Sequence, residues 1–173
     1  MLLMNTLFVS VRVLHILLGA AWLGTAIFMV VFLLPSLRDA GADGGKVLLG
    51  LGRRRLPTFI ASISGMTVLT GLWLYWRYTG GFEPALSGTM GARVFGAGGV
   101  LGIIATALAG AVAGKNLKRA GALVKELQTA EPSRHSGLLT QITIHRDKAA
   151  GGARIVLALL LVTTVLMAVG HYV

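Results

Sequence analysis

Four apolar runs, at about residues 6–34, 57–76, 92–114 and 154–173, constrain this chain more than any other feature. A hydrocarbon layer about 30 Å thick takes roughly 20 helical residues to cross, and each run is about that long or longer. A backbone crossing lipid must satisfy its own N–H and C=O groups, so these runs are predicted to be α-helices. The first is longer than a crossing needs, so it tilts or projects. Pro35 closes it, and Pro57 stands in the first turn of the second, where a missing N–H is harmless. The expected fold is all-α: an integral membrane four-helix bundle forming one membrane domain over residues 1–173. Composition agrees, with 55% hydrophobic and 13% charged residues and a mean hydropathy of +0.78. The first residues lack a basic region and a small-residue cleavage site, so they read as a retained helix rather than a signal peptide.

Charge gives the orientation. Segment 36–55 carries Arg38, Lys46, Arg53, Arg54 and Arg55. Segment 115–154 carries Lys115, Lys118, Arg119, Lys125, Arg134, Arg146, Lys148 and Arg154. Thirteen of the sixteen basic residues therefore fall on one side, which the positive-inside rule makes cytoplasmic, with both termini outside a bacterial-type cytoplasmic membrane. Trp73, Tyr75, Trp76 and Tyr78 then lie at the outer interface as an aromatic belt. The net charge of +10 is accounted for by these loops. The bases form no stripe with interleaved aromatics, so nucleic acid is not an expected partner.

The third run carries Gly98, Gly102, Thr106, Gly110 and Gly114 at four-residue intervals, a strip that admits close approach of another helix. Packing within the chain is one reading; a membrane-protein partner, a second copy or a planar cofactor on Gly98, Gly102, Gly110 and Gly114 is the other. Beyond it, Leu117, Ala120, Val124 and Leu127 share a face, so the helix is predicted to continue past the membrane. Glu131-Pro132-Ser133 ends it, and residues 137–150 are expected to return as an amphipathic segment up to a Gly151-Gly152 hinge. Segment 115–153 is thus read as a cytoplasmic helical hairpin, and segment 36–55 as a cytoplasmic loop.

No Asp or Glu lies within the four runs, which argues against a proton-coupled transporter and against a carboxylate metal site in the bundle. The absence of cysteine excludes disulfides, thiolate metal sites and iron–sulfur clusters. Histidines carry what chemistry remains. Arg12, His15, Gly19 and Trp22 recur at steps of three and four and so share one helix stripe. His15 lies 19 residues above Leu34, about 28 Å, and His171 lies 16 above Ile155, about 24 Å, so both sit near the outer edge. Two neutral imidazoles at one depth form the usual axial pair of a low-spin b-type haem. In that reading His15 and His171 ligate, Gly19 leaves clearance for the macrocycle, and Arg12 and Arg93 meet the propionates. In the same reading Met167, on a face with Thr164 and His171, is a haem contact or a ligand. His135 and His145 read as surface residues.

The pattern His15-x6-Trp22-x-Gly24 through Leu34-Pro35, then Arg54-Arg55-Leu56 leading into Thr70-Gly71-Leu72-Trp73-Leu74, resembles the four-helix modules of the copper-resistance D (CopD-like) membrane family. It is similar also to the HemJ-type membrane protoporphyrinogen oxidases. The resemblance covers roughly the first 80 residues. From the HemJ-like side it implies haem association through His15 and a redox role near tetrapyrrole metabolism; from the copper-resistance side it implies a metal-related inner-membrane protein. Arg93 stands where the HemJ pattern has a lysine, and the fourth helix lacks the expected proline-containing start.

The function expected from the sequence is a b-type haem-binding membrane redox or electron-transfer protein, with a haem-dependent oxidoreductase as its enzymatic form. Two alternatives stand beside it: a non-catalytic accessory subunit of a larger membrane complex, and copper handling through His15, Met167 and His171.

Overall fold

A computed structural model describes residues 2–173, and these are helical almost throughout, with no strand among them. The first run forms α1 (Leu2–Ile27), a π-helical segment (Phe28–Leu33) and α2 (Leu34–Asp39). A break at Ala40–Gly41 leads into α3 (Gly41–Arg53), and Arg55, in the left-handed region at φ 58°, separates α3 from α4 (Leu56–Tyr78). A short α5 (Pro84–Ser87) precedes α6 (Met90–Leu108), which Thr89 caps through a bond from the Ala92 N–H. A second π-helical segment (Ala109–Gly114) joins α6 to α7 (Lys115–Leu127). After a 3₁₀ turn (Pro132–Arg134), α8 (His135–Val169) runs to the C-terminal end.

Among the described residues, four continuous helical stretches are long and apolar enough to cross a membrane, at 35, 23, 38 and 38 residues. Each packs on the next, α1 on α4, α4 on α6, α6 on α8, and α8 closes back on α1. Trp22 of α1, Ile63 of α4, Ala105 of α6, and Val156 and Leu160 of α8 form the central layer. Trp22 is only 3% exposed and is the bulkiest member of that layer. Outward faces remain apolar and open, with Leu17, Leu69 and Val165 each at least 60% exposed. Such surfaces suit contact with lipid.

Three expectations are corrected. Pro35 does not close the first run, because the helix passes through it to Asp39. Segment 36–55 is not a loop: α2 and α3 fill it, and the polar Asp43–Lys46 face of α3 is bridged by an ion pair of 2.7 Å. Gly151-Gly152 is not a hinge, because α8 passes through it unbroken. Gly152 is instead a point of close approach. A Cβ there would meet Val112 Cγ1 at 2.8 Å and the Ala113 nitrogen at 3.2 Å, so only glycine lets α8 cross the second π segment at this distance. The third run does continue through α7, and the break at Glu131-Pro132-Ser133 stands where the sequence put it. α7 lies against α8, with Ala120, Leu138 and Ile142 buried there.

The glycine strip of α6 is also settled in part. Gly98 and Gly102 are buried against α8, the Cβ positions lying 3.0 Å from Met167 Cε and 3.9 Å from Thr163 Cγ2 respectively. The same chain occupies that part of the strip, whereas Gly110 has open space around it.

Candidate functional site

The site is built on the seam between α1 and α4. The stripe Arg12, His15, Gly19, Trp22 follows this seam inward, from an exposed Arg12, through half-buried His15 and Gly19, to the buried Trp22. His15 Nδ1 lies 3.0 Å from the Thr67 carbonyl oxygen and 3.0 Å from Thr70 Oγ1. A carbonyl can only accept, so Nδ1 carries the proton and donates to both oxygens. Thr70 is placed to accept because its own hydroxyl donates to the Met66 carbonyl at 2.7 Å. In neutral imidazole this tautomer leaves Nε2 with an unshared lone pair.

The ring reaches the α4 backbone because residue 71 is glycine. A Cβ at Gly71 would stand 2.8 Å from His15 Cε1 and 3.4 Å from Nδ1. Two stretches far apart in sequence, the His-x6-Trp helix and the Thr70-Gly71 entry, therefore meet at one imidazole. One turn further along the seam, Leu7, Val11, Leu69, Thr70 and Trp73 line an open apolar groove of about 300 Å³. Thr70 belongs both to the groove and to the histidine's hydrogen bonds. Phe8 closes over Trp73 with the ring centroids 6.3 Å apart.

The remaining candidates scatter. Gly19 sits against α4, its Cβ position 3.8 Å from Thr67 Cγ2, an ordinary contact distance that would also accommodate alanine. Met167 faces α6 at Gly98, on a different seam from His15. Arg93 is exposed on the first turn of α6. His171 lies past the end of α8, exposed, with its ring edge-on to Tyr172 at 6.0 Å. The tail around it folds over α6: the Cβ position of Gly91 is 2.8 Å from the Gly170 carbonyl oxygen, 2.9 Å from the Tyr78 hydroxyl and 3.0 Å from the Val173 carbonyl oxygen. Tyr78 is seven residues, about 10 Å of helix, beyond Gly71 on α4. The structure thus does not bring His15 and His171 together. Among the described residues no cluster of three or more His, Asp or Glu side chains is arranged to hold a metal ion.

Several contributors were not legible in the sequence. Thr67 carries no motif, since its role lies in its main-chain oxygen. His145, expected at the surface, is half-buried, with Nδ1 2.8 Å from Asn116 Oδ1 on α7, while the Asn116 amide donates to the Val112 carbonyl at 2.8 Å. His135 is likewise half-buried, its Nε2 3.0 Å from the Ala130 carbonyl. Comparison with known proteins returned no match to any family, to any curated protein or to any solved structure.

Proposed function

We propose that the protein is an inner-membrane b-type haem protein in which His15 Nε2 is an axial ligand, serving electron transfer near the outer face. The observation that carries this reading is the Nδ1–H donated to a main-chain carbonyl. Ligating histidines are held in this way, because a fixed N–H on one ring nitrogen orients the lone pair on the other. The residues present suit the group: an imidazole lone pair, an apolar groove on the same seam, and Arg12 three residues outward as a cationic partner for a propionate. A bound haem would supply one-electron chemistry; the chain supplies the ligand, its orientation and apolar surroundings. The resemblance to the HemJ-type and copper-resistance D families favours the same reading, since Thr70 and Gly71 of its second motif contact His15 of its first.

The bilayer is the expected environment, with α3, α7 and the first turns of α8 on the cytoplasmic side and both ends of the chain outside. This rests on the distribution of bases, which cluster on those elements. α7 and the start of α8 then form the cytoplasmic helical hairpin.

Protein purified in detergent from haem-replete cells should show a Soret band and a reduced α-band, and both should disappear in His15→Ala. A colourless preparation, or an unchanged spectrum in His15→Ala, overturns the reading. His171→Ala separates two coordination states: loss of the low-spin spectrum places the tail histidine on the iron, and no change leaves His15 as the chain's one ligand. Nε2 would also suit Cu(I), but the thioether of Met167 lies on the α6–α8 seam, which favours haem.

A further inference from the structure

Arg146 presents a charge that the fold does not neutralise. It stands on α8 facing α3, its Nη2 3.1 Å from the Cβ position of Gly45, and both Gly44 and Gly45 are buried there. Its Nε is shut off from solvent and has no hydrogen-bond partner. The ion pairs among the described residues are Asp43–Lys46 and Glu126–Arg134, and neither reaches this guanidinium. Asp147 follows it in sequence but is exposed, more than a quarter of a turn around the helix. A lysine or histidine in such a place can shed its proton, whereas arginine cannot. Arg146 as a whole is half-buried, and a guanidinium nitrogen shut off from water with no partner carries a cost that is relieved when an anion with matching geometry draws it into a hydrogen bond.

We infer that Arg146 anchors a site for a phosphate group, supplied by the headgroup of an anionic phospholipid or by free phosphate, on the side of α8 that faces Gly45 of α3. Two observations point to phosphate. A guanidinium fork recognises tetrahedral phosphate oxygens through paired N–H donors. The height is that of lipid headgroups: Gly152 crosses Val112 and Ala113, so the apolar end of the second π segment at Gly114 is level with about Ala150 on α8. Arg146 is four residues, about 6 Å, beyond that level, and the headgroup layer is about 5–7 Å deep on each side. Gly45 keeps α3 free of a side chain beside the guanidinium, whereas the Cβ position of Gly44 turns toward the Leu37 backbone of α2. The inference stands apart from the haem reading, while the argument from height and the lipid source both rest on the membrane reading.

The test uses the full chain in neutral detergent, with binding read by native mass spectrometry and by the thermal midpoint. Phosphatidylglycerol, phosphatidylcholine and inorganic phosphate are titrated separately. Phosphatidylglycerol should bind at one saturable site and raise the midpoint, phosphatidylcholine should not, and Arg146→Gln should weaken the binding about tenfold or more. Arg119→Gln removes the same charge from an exposed position on α7 and should stay within about twofold of wild type. Arg146→Lys keeps the charge and loses the fork, and should recover only a minor part of the affinity. If inorganic phosphate protects the wild type and competes with phosphatidylglycerol, with the same dependence on Arg146, the site takes the free anion and the assignment of phosphate chemistry stands. No binding of either probe overturns it, as does an equal loss in Arg119→Gln. Without added anion, Arg146→Gln should melt no lower than wild type, since it removes an orphaned donor. A large drop there would make Arg146 a packing strut and would also overturn the inference.

Discussion

Gly71→Ala tests the seam at its tightest point. The added methyl would stand 2.8 Å from His15 Cε1, well inside van der Waals contact, while the ring is held from the other side by Nδ1 bonds of 3.0 Å to Thr67 O and Thr70 Oγ1. Either the ring moves by several tenths of an ångström and stretches those bonds, or α1 moves off α4. Overpacking of this kind costs about 1–3 kcal/mol. The weakened hydrogen bonds add up to about 0.5–1.5 kcal/mol each, and alanine returns about 0.5–1 kcal/mol of helix propensity. The expected net loss is about 1–3 kcal/mol, or a drop of about 2–10 °C in the thermal midpoint in detergent. Gly65→Ala, also on α4, is the matched control: nothing lies within 4 Å of its Cβ position, so propensity alone acts and the midpoint should hold or rise slightly. A haem titration on both variants completes the assay, with weaker uptake expected in Gly71→Ala because Nε2 is re-aimed. Equal midpoints and equal haem affinities in the two variants would show that the ring is not seated on the Gly71 backbone.

Other outcomes follow from the same contacts. Gly152→Ala places a methyl 2.8 Å from Val112 Cγ1 and 3.2 Å from a main-chain nitrogen, and should lower stability by about 1–3 kcal/mol, read as a fall in the thermal midpoint, whereas Gly151→Ala, with open space around it, should be neutral. Gly98→Leu should destabilise the chain itself, since α8 already fills that face; a variant that melts like wild type yet loses a co-purifying partner would refute this. The exposed Asp43–Lys46 pair holds the Asp43 carboxyl below its ordinary range and Lys46 above its own, each mainly through their hydrogen bond. Its contribution is present above the ordinary aspartate value and lost as pH falls through the lowered one. On the basic side it is present below the ordinary lysine value and lost as pH rises through the raised one. Hydrogen exchange at residues 41–46 should therefore be slowest across neutral pH relative to Asp43→Asn, by a small factor; an identical pH profile in the variant would show the pair idle.

What the sequence made legible is whatever periodicity and length control. The four spans and the continuation of the third past Gly114 follow from runs of apolar residues; the break before α8 was also legible, although α7 already ends at Leu127 and Pro132 opens the next turn, where its missing N–H is harmless. The glycines were harder to read. Gly151-Gly152 looks like a hinge because glycine weakens a helix, but the neighbouring Val112 and Ala113 decide the matter, and they lie forty residues away in sequence. Segment 36–55 looked like a loop because its glycines depress helix propensity; α3 forms nonetheless, with Gly44 and Gly45 buried against neighbouring elements. The candidate site was half legible. His15 stood out as a polar residue in an apolar run, but its partner on α4 is a main-chain oxygen, which no side-chain pattern can announce. The pairing of His15 with His171 was inferred from depth alone. Depth says nothing of which neighbour a side chain faces, and His15 faces α4.

The two nitrogens of His15 can be given separate accounts. As a staple between α1 and α4, the residue needs only Nδ1–H, and a side-chain hydrogen bond between membrane helices contributes on average about 0.6 kcal/mol. Leucine in the same stripe would bury comparable surface with no polar atom to satisfy, so stapling is a weak reason for an imidazole at this depth. The arrangement also goes further than a staple requires. The Nδ1 proton has two acceptors, the second held ready by the Thr70 bond to Met66, and the ring is seated on bare backbone at Gly71. Each of these constraints fixes the direction of Nε2, an atom that takes no part in holding the helices together. That a glycine and a threonine both orient this lone pair is what supports the proposal of a ligand at Nε2. Thr70→Val then separates the two roles: the main-chain acceptor at Thr67 survives, so stability should change by less than about 1 kcal/mol, while freedom of the ring about its remaining bond should loosen whatever Nε2 holds.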